Sequence, residues 1–336
     1  EDVQLKVSLF NSLRIKKLVL TQGRGTYKVY GDGKYLGDFK KGSFANAKIH
    51  QGKVVFSMNG DSKGSFMKLR FTGVDYANNF KIRTLIPSSN VRIYEDDVEI
   101  WARGNRMKVI NLPELNHYVA GVVESEVGKN AHLEYYKLQS IICRTYALSN
   151  IDKYAEEGFN LCDEVKSQVY KGKSRSNPDI LKATAATSGL VLIDTALNLI
   201  TAVFHSNSGG QTMNSEDVWS QPVSYLRSVQ DTFCLTEPHA FWTKTIALND
   251  WLSYFQNKHG VNVKSSQNYE LLTTYKQENR DVYFTEKNIP LKTVRRDWKL
   301  NSTFFSIELK GDSVVLDGKG FGHGVGLCQE GAMRMA

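Results

Sequence analysis

The chain has 336 residues, 41% of them hydrophobic and only six proline, which excludes wholesale disorder and is enough for two domains or one large one with an insertion. A formal net charge of +8 favours acidic partners such as nucleic acid, anionic lipid or an anionic wall polymer. The Lys and Arg residues are nevertheless scattered, apart from short clusters such as RIKK and VRR. With no basic helix and no aromatic-glycine RNA-binding signature, nucleic acid is not expected as a partner.

Residues 1–112 read as β-rich. VQLKVSLF, TYKVYG, KVVFSM, KLRFTG, NVRIYEDDVEIW and MKVINL are short, rich in β-branched and aromatic residues, and separated by Gly, Asn or Asp turns. GDGKYLGDF has hairpin character with Asp-Gly at its tip. The pattern changes between Asn130 and Glu157, where Leu138, Ile141, Ile142, Ala147 and Leu148 follow a helical stripe. Asn130 is the expected N-cap of that helix and Gly158 its stop. DILKATAAT (179–187) predicts a second, shorter helix, and GLVLIDTALNLITAVF (189–204) two strands joined by a turn. That last stretch is the most apolar one, but it carries Asp194 and Asn198. No apolar run approaches the roughly 20 residues a spanning helix needs, so no transmembrane segment is expected.

Residues 236–300 differ in flavour, being rich in Trp, Lys, Asn and Gln, with NDWLSYFQNK patterned as an amphipathic helix. They read as an insertion or subdomain. STFFSIELKGDSVVLDG (302–318) returns to paired strands and leads into GKGFGHGVG, with glycine at 318, 320, 322, 324 and 326. As a strand, that run would have one face without side chains and another bearing Lys319, Phe321, His323 and Val325. The expected class is α+β: a β-rich N-terminal region plus a mixed sheet-and-helix core with an inserted subdomain. Its boundaries are 1–112, 113–235, 236–300 and 301–336.

Four cysteines, at 143, 162, 234 and 328, lie too far apart for a CxxC site. They are either two disulfides in an oxidising compartment or buried free thiols. Three other stretches can carry chemistry. In VAGVVESEVG (119–128), Glu124 and Glu126 are either a solvated pair near a helix start or a functional pair. Val122, Val123 and Val127 around Glu126 favour a raised pKa, which suits a general acid. FHSNSGGQT (204–212) is an ordinary turn, a loop presenting N–H groups and hydroxyls to a polar ligand, or a serine nucleophile paired with His205 or His323. It is not a GxSxG elbow, because Ser206 stands where glycine is needed. In GFGHGVGLCQEGA (320–332), His323 is a satisfied structural histidine or, with Gln329, part of a bare surface for a flat polar ligand such as a sugar chain. No register gives GxGxxG, so no dinucleotide cofactor is expected.

Together these segments resemble the family of stage II sporulation protein D, which also includes amidase-enhancer proteins. YVAGVVESEV followed by KLQSIICRTYAL is similar to that family's Y-x-x-G-V-V-x-x-E-M followed by K-A-Q-A-V-A-A-R-T-Y-A. FHSNSGGQT resembles its Y-H-S-x-S-G-G-x-T, and GFGHGVGLCQEGAMRMA its G-x-G-H-G-V-G-M-S-Q-x-G-A. The resemblance implies a peptidoglycan lytic transglycosylase of the extracytoplasmic envelope (periplasm or cell wall), with any signal peptide already removed before Glu1. The alternative it implies is a non-catalytic wall-binding protein that stimulates a partner amidase.

The family's glutamate falls on Glu126, the implied general acid and base. Most glycosidases need two carboxylates, but a lytic transglycosylase attacks with the substrate's own C6 hydroxyl, so one suffices. His205, Ser206, Ser208, Gly209, Gly210 and Thr212 are then expected to line the glycan cleft, with His323 and Gln329 approaching from the glycine run. Arg144 and Tyr146 are expected to support Glu126 from the helix. Some family members bind zinc through the segment corresponding to NLCDEVKSQVYKG. Here Cys162 stands alone, with Lys166 and Ser167 at the other positions, so neither a metal nor another cofactor is expected. The family also implies further chain beyond MRMA.

Overall fold

The structure, a computed structural model, describes residues 3–75, 77–128, 130–175, 177–284 and 288–336. The chain forms two compact units, Glu1–Thr201 and Ala202–Ala336. Mixed sheets and helices with a β-rich start make it α+β.

In the first unit, two sheets enclose a common core. One is seven-stranded, in the order Leu161–Cys162, Val7–Leu9, Arg106–Leu112, Asp97–Arg103, Lys68–Gly73, Tyr27–Gly31, Lys34–Phe39. The other has six strands, in the order Arg92–Glu95, Asn79–Ile86, Lys17–Arg24, Phe44–His50, Lys53–Met58, Asp61–Phe66. Alternation decides which residues face inward: in KVVFSM, Val54, Phe56 and Met58 are buried. Phe56 meets Phe71 of the opposite sheet edge-on, with centroids 5.9 Å apart, and Tyr27 meets Phe80 at 6.2 Å. The expected hairpin turns at Asp32 and Gly33, both at positive φ (47° and 86°), the geometry of a tight primed turn. NVRIYEDDVEIW forms two strands instead of one, split at Asp96, whose φ is 64°.

Three helices follow: α1 (Leu115–Val127), α2 (Leu133–Ser149) and α3 (Pro178–Ala186). The helical stripe places α2 correctly, but its N-cap is His132, whose Nδ1 accepts from the Glu134 N–H at 3.3 Å, and not Asn130. It stops at Asn150, eight residues before Gly158. Its most buried face is Tyr135, Tyr136, Gln139, Ser140, Cys143, Arg144 and Ala147, while Leu138, Ile141 and Leu148 are half-buried. The two strands expected over 189–204 do not form a ladder. A single bridge, Ile193 to Leu199, closes a turn in which the Asp194 carboxylate accepts from the Ala196 and Asn198 N–H groups. Those side-chain bonds replace the strand pairing.

The second unit contains a four-stranded antiparallel sheet, in the order Phe241–Ala247, Ser313–Lys319, Phe304–Lys310, Thr274–Tyr275. The hairpin expected at 302–318 is its centre. Residues from 236–300 supply both edges and, through α5 (Leu248–His259), α6 (Ser266–Thr273) and α7 (Leu291–Trp298), the aromatic core on one face. Trp251 and Phe255 of the amphipathic α5 are fully buried there. Two short helices complete this unit, α4 (Ser215–Val218) and α8 (Gln329–Met335). Among the described residues, no helix is long and apolar enough to cross a membrane.

Candidate active site

Glu124, Ser125 and Glu126 lie in the last turn of α1, not at the start of the long helix. The dipole at a helix C-terminus disfavours carboxylates, the reverse of the solvated N-terminal pair weighed above. Two residues apart on a helix, the two glutamates diverge, yet all three side chains grip one segment, 169–175. Glu126 Oε1 accepts from the Val169 N–H at 2.9 Å, Ser125 Oγ from the Lys171 N–H at 3.1 Å, and Glu124 Oε2 from Ser174 Oγ and the Arg175 N–H, both at 2.7 Å. Gly121 makes this approach possible: a Cβ there would sit 2.3 Å from the Gly172 carbonyl oxygen and 2.5 Å from the Tyr170 ring. Tyr170 is itself fully buried, its ring 4.9 Å from Tyr118 and its hydroxyl 3.1 Å from Asn111 Oδ1, which ties the segment to the sandwich core.

Glu126 is half-buried, with Val122 and Val123 fully buried in the preceding turn. Desolvation raises its pKa above the ordinary carboxylate value, against smaller opposing effects of the Val169 N–H and the Lys171 charge. Among the described residues, its Oε2 makes no hydrogen bond. One oxygen is thus fixed and the other is not, in a group whose charged form burial disfavours.

Arg144 does not reach this carboxyl. Its guanidinium, 1% exposed, donates to the carbonyls of Leu190 and Thr184 and to Asn116 Oδ1, bracing α2 against α1 and α3. The expected support of Glu126 is therefore not a direct contact: both terminal nitrogens of Arg144 donate to the scaffold, and its Nε has no partner among the described residues. Tyr146 is half-buried and its hydroxyl accepts from Lys153 Nζ at 3.3 Å. Cys162 lies beside Ser167 Oγ (3.5 Å) and the Tyr154 hydroxyl (3.8 Å), and belongs to no group of three or more metal-ligating side chains among the described residues.

In the second unit, the FHSNSGGQT loop and the glycine run pack against each other. The run is not an extended strand: Gly320, Gly322, Gly324 and Gly326 have φ of 78°, 113°, 84° and 74°, values that exclude a β ladder. A Cβ at Gly320 would meet Asn207 O and Gly209 N at 2.7 Å, one at Gly322 His205 Cβ at 2.9 Å, and one at Gly324 the Arg280 guanidinium at 2.3 Å. What comes so close to the bare backbone is thus residues 205–209 and a buried arginine, with the Trp242 ring at Gly318 and the Val203 carbonyl at Gly326.

His205 is buried, and its Nδ1 lies 3.1 Å from the Val325 carbonyl, so Nδ1 carries the hydrogen and Nε2, enclosed without a partner among the described residues, is the free lone pair. His323 shows the opposite tautomer, its Nδ1 accepting from the Val325 N–H at 3.1 Å. Burial, helped by neighbouring cations, lowers His205 to about 3 and His323 to about 4, so both rings are neutral at physiological pH. His323 is half-buried against the ring of Trp219, at 5.1 Å, and Trp219 is 39% exposed.

Of the other expected cleft residues, three turn inward. Ser208 is fully buried and bonds Asp231 Oδ2 (3.0 Å) and Cys234 Sγ (3.1 Å); Gly209 is buried; Thr212 Oγ1 accepts from the Val229 N–H at 2.8 Å. These three residues, expected to line a cleft, are packed into the scaffold of this unit. Ser206 and Gly210 are half-buried, and Gln329 is buried with its Nε2 unpartnered among the described residues. Neither histidine is bonded to a serine hydroxyl in the described structure, which removes the geometry of a Ser–His nucleophile.

Trp219, Asp231, Cys234 and Arg280 were not singled out from the sequence. DTFC (231–234), three residues from carboxylate to thiol, was a readable signal; Arg280 sits in a segment with no motif.

These features can now be set beside known proteins. The profile of the Stage II sporulation protein family matches residues 103–193, the stretch that holds α1, α2, α3 and the segment gripped by Glu124–Glu126. Stage II sporulation protein D of Bacillus subtilis (strain 168) is 32% identical over 252 residues, covering 70% of this chain and 71% of that protein. The chain belongs to the stage II sporulation protein D family. An uncharacterized protein of Brachyspira hyodysenteriae is 29% identical over 238 residues, and the chain spans 63% of that protein's length. The amidase enhancer of Bacillus subtilis is 26% identical over 268 residues, 64% of this chain and 37% of that protein.

Proposed function

We propose that the protein is an extracytoplasmic lytic transglycosylase acting on the glycan strands of peptidoglycan, with Glu126 as its acid and base. The observation that carries this reading is the Glu126 carboxyl: half-desolvated, raised in pKa, held at one oxygen by Val169 and open at the other. The protonated carboxyl gives its proton to the bridging oxygen as the bond from C1 of N-acetylmuramic acid breaks. The carboxylate then takes the proton of the C6 hydroxyl as O6 bonds to C1, which returns the acid and leaves a 1,6-anhydro ring. No water enters, so no second carboxylate is needed; Glu124 is engaged by Ser174 and Arg175. Within the second unit taken by itself, the half-buried Ser206 and the exposed ring of Trp219, a stacking surface, are the groups offered to sugar. The net charge of +8 suits an anionic wall.

The second reading, a wall-binding protein that stimulates an amidase, is favoured by the likeness to the amidase enhancer. Incubation with glycan strands lacking stem peptides, followed by mass spectrometry, separates the two. Products ending in 1,6-anhydromuramic acid that vanish in Glu126→Gln support the enzyme. Binding without cleavage, unchanged by that substitution, supports the modulator.

A further inference from the structure

Two stretches of the second unit, residues 231–234 and the N-cap of α8, bring Asp231, Cys234 and Cys328 together. Both sulfurs and a carboxylate oxygen lie within 4.8 Å of one another, and both thiols are free. Cys234 is fully buried, Cys328 nearly so, and Asp231 half-buried at the edge of the cluster. We propose that these side chains bind a divalent metal of the zinc class, as a structural centre that pins the Ser208 loop to residues 231–234 and to the start of α8.

The donor set favours this. Two thiolates select a soft or borderline cation such as zinc over magnesium or calcium. In a tetrahedral zinc site with bonds of about 2.0–2.3 Å, neighbouring ligand atoms stand about 3.3–3.8 Å apart, a separation the cluster reaches with small side-chain adjustment. Ser208 Oγ lies 3.0 Å from Asp231 Oδ2 and 3.1 Å from Cys234 Sγ, so it occupies the fourth corner or gives it to water.

The surroundings are built for anions. Cys328 Sγ receives the Ser208 N–H at 3.2 Å and the Gly331 N–H at 3.4 Å, an outer shell of the kind that orients metal ligands. Gly331 is bare where a Cβ would sit 2.6 Å from the Asp231 carboxylate. Arg280, 8% exposed, lies within electrostatic reach of both sulfurs, bonds the Ser208 and Gln211 carbonyls, and makes no ion pair among the described residues. Two thiolates, one carboxylate and a dication sum to one negative charge, which Arg280 balances.

This centre does not involve Cys162, on which the expectation of no metal was based. It is also independent of Glu126, so its failure would leave the glycan reading untouched.

The test is anaerobic titration of the reduced, chelator-stripped full chain with Co2+, followed by Zn2+. Expected are one equivalent of Co2+ with a thiolate charge-transfer band and tetrahedral d–d bands, both erased by Zn2+. Cys234→Ser and Cys328→Ser should each weaken or abolish the charge-transfer band, and Asp231→Asn should weaken Zn2+ binding by more than about tenfold. The Cys143→Ser/Cys162→Ser double variant should keep the band. Absence of the band in the unaltered chain, its persistence without Cys234 and Cys328, or a Cys234–Cys328 disulfide in protein purified without reductant would each overturn the proposal. The titration of the unaltered chain decides even if a variant fails to fold.

Discussion

The two motif-bearing regions are built on opposite plans. In the first unit, one helix turn spends three consecutive side chains on the backbone of one loop, and a charged group is left half-hidden with a free oxygen. In the second, loop packs on loop across bare glycine backbone with side-chain bonds beside it, and the histidines, His205 and His323, are largely enclosed and neutral. A carboxyl pushed toward its protonated form is fit to give and take a proton. Imidazoles pushed toward neutrality are not fit to act as acids, but they can offer one donor or one acceptor each. On the proposed reading, proton transfer falls to the first region, and the two histidines of the second take no part in it.

The sharpest break in that comparison comes from substituting the two glutamates separately. Glu126→Gln should reduce formation of anhydro products by about 10²–10⁴-fold, the usual weight of a general acid–base group, with an unchanged melting profile. Cleavage by the unaltered chain should also decline as pH rises past the raised pKa of Glu126, since the first step needs its proton. Glu124→Gln should do the reverse, keeping most activity while costing about 1–3 kcal/mol through its bonds to Ser174 and Arg175. Equal loss of activity in both variants would mean that the turn acts only as a clamp.

Next in size are the close approaches. Gly121→Ala drives a methyl into the Gly172 carbonyl and the Tyr170 ring, and should cost about 2–3 kcal/mol, or about 5–10 °C in the melting of that unit. Gly320→Ala adds a side chain at a φ of 78° against the Asn207 carbonyl, with about 1–2 kcal/mol from the backbone conformation alone. Hydrogen exchange should place the first effect around residues 168–172 and the second around 205–209. A silent Gly121→Ala would refute the tight seating of that loop on α1.

Strand segments, α3, α5 and the 302–318 hairpin were legible because alternation, turn residues and the 3.6-residue period are local signals. The end of α2 was not, since its buried face mixes Gln139, Ser140 and Arg144 with apolar residues and blurs the stripe. The glycine run misled for a physical reason: alternating glycines satisfy a period of two in sequence while their positive φ values forbid a strand. The raised pKa of Glu126 was legible from its valine neighbours, but its bond to Val169, 43 residues away, is long-range information. Burial of Ser208 and Thr212 was hidden similarly, because their partners, Asp231 and Val229, lie 23 and 17 residues further along the chain.

The effect that contrasts the regions most directly is the response to pH. In the first unit, His117 Nδ1 lies 2.8 Å from Asp96 Oδ2, and that bond raises its pKa to about 9. The unfolded chain titrates this ring near 6.5. Its protonation therefore stabilises the fold fully below that value, and the contribution fades as pH climbs through about 9. His205 and His323 work the other way. Their folded values of about 3 and 4 lie below 6.5, so the unfolded chain binds protons more readily, and stability from these rings is complete above 6.5 and lost as pH falls toward 3–4. Side-chain NMR should show His117 titrating on the alkaline side of neutrality, while His205 and His323 stay neutral down to about 4. His117→Asn should remove the alkaline limb from the first unit's stability profile and leave the acid limb of the second in place. A midpoint near 6.5 for His205 or His323 would mean that water reaches the rings, and the second region would then have a proton-transfer group of its own.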